Sequence, residues 1–252
     1  QSYLELPSLL PAWFWWAFRV ATIFVMIFVI WKVWTEPDFG FALFWKLLIP
    51  SLPFLFAVAP GVWRQICPMA FVNQLPRVLG FSREMTLPVE FKNLAYFLSV
   101  LAFFFLVSLR HIYFNQEPFG WTVLIVSSLG LAFLGGLFFK GRSGWCGTFC
   151  PLAPIQKAYG HAPIITVKNG YCPTCVGCQK NCYDFNPRAA FLSDLSDKDL
   201  WYAGHKKFFV AGLPGFAIGY FTTADPAIIG IPSYLMYMVG CILVTLGVYK
   251  AV

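Results

Sequence analysis

Six long apolar stretches constrain this chain more than any other feature. They run over residues 12–34, 41–59, 94–114, 121–139, 208–223 and 231–249, and each reaches or approaches the roughly 20 apolar residues an α-helix needs to cross a bilayer core. The fold class expected is all-α integral membrane, with about six transmembrane helices. The second stretch holds Lys46, Pro50 and Pro53 and is expected to be broken and packed inside the bundle. The fifth, which is short and contains Gly212, Pro214, Gly215 and Gly219, is expected to be kinked, tilted or partly re-entrant, with neighbours satisfying its backbone.

Composition supports the same class, because 59% hydrophobic and 12% charged residues is about half the charged fraction of a soluble domain. The first stretch is too long and aromatic for a signal peptide and is expected to stay in the membrane. Since the chain begins at Gln1 and ends on an apolar run, it reads as part of a longer polypeptide or of one that is incompletely ordered. Trp13, Trp15, Trp16, Trp34 and Trp121 are placed as interfacial anchors.

The formal charge of +7 does not point to nucleic acid, because the basic residues flank apolar spans instead of clustering among exposed aromatics. Arg64, Arg77 and Arg83 follow the second stretch. Lys140, Arg142, Lys157, Lys168, Lys180, Arg188, Lys198, Lys206 and Lys207 lie between the fourth and fifth. By the positive-inside rule these loops, and both ends, are expected in the cytoplasm. Three parts follow: residues 12–139 as two transmembrane hairpins, 140–207 as a small cytoplasmic iron-sulfur lobe, and 208–250 as the last two spans.

The lobe carries the chemistry. Its segment YCPTCVGCQKNCY places Cys172, Cys175, Cys178 and Cys182 in the spacing C-x2-C-x2-C-x3-C, the bacterial ferredoxin pattern that wraps thiolates around one [4Fe-4S] cluster. A zinc site would more often pair two C-x2-C hooks across a longer spacer. Four thiols in so short a run also suit disulfide geometry poorly. A reducing compartment would keep these thiols free for metal.

An internal repeat adds further thiols. CPMAFVNQ from Cys67 aligns with CPLAPIQK from Cys150, and each copy follows a pair of apolar spans, so the unit reads as a helical hairpin ending in a Cys-Pro turn. The second copy is a C-x3-C-P motif, Cys146 to Pro151; in the first, Trp63 stands where the leading Cys would be. In two-cluster ferredoxins the fourth Cys of the loop ligates the other cluster and a distant Cys-Pro supplies the missing corner. Two arrangements therefore stay open. Either Cys182 closes the cluster, or Cys150 or Cys67 closes it while Cys182 joins Cys146 and the remaining thiol at a second centre. Cys241, mid-span, is expected only to pack.

These motifs resemble the membrane-bound ferredoxin-type proteins found with periplasmic nitrate reductase and nitrous oxide reductase, and relatives in cytochrome oxidase maturation. The resemblance covers roughly residues 41–190 and departs at Trp63, at Tyr183 in place of the Pro after the fourth Cys, and in having one ferredoxin loop. It implies a carrier in the bacterial cytoplasmic membrane that passes electrons between a quinone or cytoplasmic donor and a partner redox enzyme or larger membrane complex. An acidic soluble ferredoxin or flavodoxin could dock on Lys168, Lys180 and Arg188. Other readings are a metal-handling or maturation factor and a structural subunit of a larger membrane complex. A haem is disfavoured, because His111, His161 and His205 are not placed as facing axial ligands. Arg19 and Lys46, in or near apolar spans, are candidates for function or for snorkelling to the headgroups. Arg110 with His111 could take a quinone headgroup or anionic lipid, or act as an interfacial anchor. Gly141, Gly144 and Gly147 are read as permitting tight turns near the cysteines.

Overall fold

A computed structural model of the chain describes residues 10–140, 144–165, 188, 192–193, 195–196, 198 and 200–251. The loop carrying Cys172, Cys175, Cys178 and Cys182 lies outside the described residues. What is described is helical, its one β-type pairing being an isolated bridge between Met85 and Phe139.

Prolines punctuate the first hairpin. Helix α1 (Ala12–Thr35) ends where the Glu36 amide caps back onto the Lys32 carbonyl, and α2 (Pro37–Val58) starts on a proline that needs no donor there. Within α2 the turn Leu43–Leu48 widens to π-helix. Pro50 lacks an amide hydrogen and its ring crowds the carbonyl four residues back. The second span is thus widened rather than broken, and its Leu47 and Phe54 side chains face outward.

Two short helices follow, α3 (Pro60–Ile66) and α4 (Pro68–Val78), separated by Cys67. The second hairpin is α5 (Val89–Leu109), prolonged by π-helical Arg110–Phe114, and α6 (Pro118–Phe138). After a tight loop come α7 (Ala153–Tyr159), α8 (Leu200–Thr222), the single turn α9 (Pro226–Ile229) and α10 (Ile231–Ala251). Among the described residues five helices are long and apolar enough to cross a membrane: α1, α2, the α5 unit, α6 and α10. The expected sixth stretch is the C-terminal part of α8, a 23-residue helix. His205, Lys206 and Lys207 near its start leave it less apolar than the five, and it runs through Pro214 as one helix. Gly215 lets it lie against α10, since a Cβ there would collide with the Cys241 carbonyl.

Two cores hold the bundle. In the first, Phe41, Phe44 and Trp121 meet edge to face beside Val29 and Val33. In the second, Tyr96, Val100, Phe103, Phe209, Phe216, Tyr234 and Met238 tie α5 to α8 and α10. Trp121 is fully buried and Trp15 nearly so, so neither is an interfacial anchor; the indole of Trp121 fills space between the two hairpins. Trp13 and Trp34 are exposed, as anchors would be, and with Phe24, Phe105 and Val244 they belong to an apolar outer surface that suits lipid rather than water.

Each hairpin is followed by its Cys-Pro turn and a short helix, and each short helix packs on the other copy: α4 lies along α6, and α7 lies against the end of α2. This exchange brings the two Cys-Pro turns to the same end of the bundle.

Candidate metal centre

The two turns are built alike. A residue before proline avoids the helical region, and Cys67 accordingly sits at ψ 122° as the N-cap of α4, with Pro68 as the first helical residue. Its amide donates to the Trp63 carbonyl at 2.8 Å, and its carbonyl accepts from the Phe71 amide at 3.0 Å. In the second copy the amides of Thr148, Phe149 and Cys150 all donate to the Trp145 carbonyl at 3.1 Å, and the Cys150 carbonyl accepts from the Ala153 amide at 3.0 Å. Each cysteine is thus fixed between the end of one helical turn and the start of the next.

Cys67 is buried, and Cys146 and Cys150 are half-buried. They are close enough together that charge on Cys146 and on Cys67 is felt at Cys150. Burial is the main force raising the Cys150 thiol far above its ordinary range, with those two neighbours adding to it. The backbone amides of Leu152 and Ala153 oppose it by hydrogen-bonding the sulfur. Amide donors of this kind are what a thiolate ligand uses once a metal has displaced its proton. Cys241 sits half-buried in α10, its carbonyl beside Gly215.

The site's supports are polar side chains buried in apolar surroundings. Arg19, 4% exposed in α1, does not snorkel. Its Nε donates to the Gln65 carbonyl at 3.1 Å and its Nη2 to Gln65 Oε1 at 2.6 Å, while Thr22 Oγ1 donates to the Ile66 carbonyl at 2.8 Å. Helix α1 thereby satisfies the last carbonyls of α3, immediately before Cys67. In the second copy Ser99 of α5 donates to the Cys150 carbonyl at 2.8 Å. The first helix of each hairpin therefore holds the backbone of its own Cys-Pro turn. On α4, Asn73 Nδ2 donates to the Ala132 carbonyl at 2.8 Å and Arg77 Nη2 to the Phe139 carbonyl at 2.8 Å. Arg19→Met removes two bonds to Gln65 and is expected to cost roughly 2 kcal/mol, read as a lower Tm in detergent together with faster maleimide labelling of Cys67.

Trp63, at the position matching Cys146, packs edge-on against Phe56 with ring centres 5.8 Å apart, so an aromatic contact replaces a sulfur in the first copy. Gly144 lies in a turn and has a second role that was not expected of it, a close approach to α6, since a Cβ there would strike the Gly135 carbonyl; Gly141 lies outside the described residues. Among the described residues no three His, Cys, Asp or Glu side chains are gathered tightly enough to hold a single ion. A multi-iron cluster spreads its ligands more widely, and the three neighbouring thiols, with amide donors at Cys150, are a fitting donor set for part of one. The remaining candidate residues lie apart. Lys46 is exposed, and His161 contacts the Ala158 carbonyl. His205 stacks on Phe97 with ring centres 4.6 Å apart. At the end of α5 Arg110 donates to the Tyr220 hydroxyl at 2.9 Å and lies over the Trp45 ring, with His111 beside Tyr220.

Of these supporting side chains Arg19 is marked in the sequence by its place in an apolar stretch, whereas Gln65, Ser99 and Asn73 carry no signal beyond their polarity. No protein-family model, no curated protein and no solved structure matches the chain.

Proposed function

We propose that the protein is a membrane electron-transfer subunit. It would pass single electrons through at least one [4Fe-4S] cluster held at Cys172, Cys175, Cys178 and Cys182, between a quinone or cytoplasmic donor and a partner redox enzyme. The observation supporting this most directly is the gathering of Cys67, Cys146 and Cys150 at the end of the bundle from which the chain runs into the four-cysteine loop. The amides of Ile164 and Ile165 both donate to the Val58 carbonyl, at 3.0 and 2.8 Å, which ties the start of that segment to the end of α2, next to α3 and the Cys67 turn.

When bound, the cluster supplies a one-electron donor and acceptor. The chain's own residues do the rest. Amides of Leu152 and Ala153 hold negative charge at the Cys150 sulfur, Pro68 and Pro151 fix the turns, and the buried setting of Cys67 keeps water back. Hydrogen bonds to sulfur and burial are the levers that set a cluster's potential. Lys168, Lys180 and Arg188 offer docking charge to an acidic donor, with the lobe on the cytoplasmic side of a bacterial inner membrane.

Iron and acid-labile sulfide analysis of anaerobically purified full chain, with EPR after dithionite reduction, tests this. About four irons and four sulfides per chain, giving a reduced-cluster signal, is the expected result. Iron-free protein overturns it. The three gathered thiols also favour a second reading, a metal-handling factor, and bound copper in place of iron would decide for that.

A further inference from the structure

Two helices depart from regular pitch at the same place. In α2 the π-helical turn Leu43–Leu48 holds Trp45, and at the end of α5 the π-helical turn Arg110–Phe114 opens on Arg110 and His111. The Trp45 indole donates to the Phe114 carbonyl at 3.4 Å, so one widened turn hydrogen-bonds the other. Such turns re-aim the side chains around them and are frequent at functional sites. Here they set Arg110 over the face of Trp45, with the guanidinium carbon 4.9 Å from the ring centre. The α5 unit runs 25 residues from Glu90 to Phe114, roughly 37 Å of helix, and it starts on the side of the Cys67 turn. Arg110 therefore lies at the end of the bundle away from the thiols.

The guanidinium is held in place from three sides. Nε donates to Asn115 Oδ1 at 3.3 Å and Nη1 to the Tyr220 hydroxyl of α8 at 2.9 Å, while the His111 ring lies against that of Tyr220 with centres 4.9 Å apart. Nη2 takes part in neither bond. An amide oxygen, a hydroxyl and an indole face are all neutral, and a guanidinium stays charged. Asp225 is near enough for its charge to be felt at His111. Its Oδ1 is engaged in accepting the Ala227 amide at 2.9 Å, and among the described residues it forms no ion pair with Arg110. An arginine fork fixed by neutral groups, with one edge left over, is suited to an oxyanion.

The rim decides which oxyanion fits. Tyr113 in the same turn as His111, Phe119 at the start of α6, Phe221 next to Tyr220 and Ile228 on α9 are all exposed. A phospholipid presents a phosphate at the depth where spans end, with acyl chains below it to cover such side chains. We propose that Arg110, positioned by Trp45, Asn115 and Tyr220 and with His111 beside it, binds the phosphate of an anionic phospholipid headgroup. The phosphate accepts from Nη2 and from the remaining Nη1 hydrogen. A choline headgroup brings its own ammonium close to Arg110 and gains less. The site is separate from the thiols and does not depend on the redox reading.

The test is thermal unfolding of the full chain in dodecyl maltoside, titrated with dioleoyl phosphatidylglycerol or dioleoyl phosphatidylcholine. Phosphatidylglycerol is expected to raise Tm saturably, and phosphatidylcholine to leave it nearly unchanged. In Arg110→Gln the half-saturating phosphatidylglycerol concentration is expected to rise by about tenfold, the loss of a charge-assisted hydrogen bond to phosphate. Lys32→Gln is the control: Lys32 sits at the same end of the bundle, where α1 gives way to α2, and pairs with Glu36, so its loss should not move that concentration. Equal responses to the two lipids overturn the proposal, as does an unchanged midpoint in Arg110→Gln or an equal loss in Lys32→Gln. A gain reproduced by glycerol phosphate at the same concentrations overturns the lipid and makes a soluble phosphate ester the ligand. Should Arg110→Gln not fold, photo-cross-linking of the parent chain by phosphatidylglycerol with a diazirine close to its headgroup decides. Label within residues 110–119 or 220–228 supports the site, and label confined to other parts of the chain overturns it.

Discussion

With Cys172 and Cys175 both replaced by serine, the full chain is expected to lose all bound iron while keeping its helices. A serine hydroxyl is a poor replacement for a thiolate on iron, and removing two corners of one loop leaves too few ligands to keep a cluster. The two cores, built on Trp121 and on Phe103 with Tyr234, are packed from α1, α2, α5, α6, α8 and α10 among the described residues, so far-ultraviolet circular dichroism is expected to be unchanged. The loop itself has little apolar material and would draw its order from the metal. Trypsin is accordingly expected to cut the double variant at Lys168, Lys180 or Arg188 much faster than the loaded parent. Single variants separate the two closure schemes. If Cys182 closes the cluster, Cys182→Ser loses iron and Cys150→Ser retains it; the opposite pattern places the fourth ligand at a Cys-Pro turn. A double variant that retains about four irons removes the loop from the reaction altogether.

How far a sequence of this kind can be read depends on which force sets each feature. Span positions were legible because bilayer thickness imposes a length of apolar residues, and the five helices long and apolar enough to cross fall where the stretches predict. The sixth was harder. Lys206 and Lys207 begin α8 in a polar style while its last fifteen or so residues look like a span, and hydropathy blurs when one helix does both jobs. Tryptophan misled for a related reason. Position near a span end suggests an anchor, yet whether an indole points outward is decided by helix rotation, and Trp121 is turned into the core against Phe41 and Phe44. The likeness of the two Cys-Pro segments is readable in the sequence, but not how the helices after them pack. Nothing in the order of residues says that α4 belongs on α6 and α7 against α2. That arrangement depends on backbone close approach at glycines whose role emerges only when two elements meet. Arg19 shows the same limit: an arginine in an apolar stretch announces importance, while its partner Gln65 lies 46 positions away.

Gly136→Val is expected to be the most damaging single change in the membrane part of the chain. A Cβ at this point of α6 would collide with the backbone carbonyl of Asn73 in α4, and backbone, unlike a flexible side chain, cannot swing aside. Helix α4 would have to lift, breaking the bond from Asn73 to the Ala132 carbonyl and straining that from Arg77 to Phe139. Overpacking of this kind costs about 3 kcal/mol or more when the clash is with main chain. Because Cys67 caps α4, the displacement should also loosen its turn, so maleimide labelling of Cys67 is expected to accelerate more than that of Cys241 in α10. The control lies on the same helix. At Gly130 an added Cβ meets nothing within 4 Å, and alanine has the better helix propensity by about 1 kcal/mol, so Gly130→Ala should leave Tm unchanged or raise it. If Gly136→Val melts with the parent and labels no faster, α4 is not seated on α6 through its backbone. The apposition of the two Cys-Pro turns would then lose its mechanical basis.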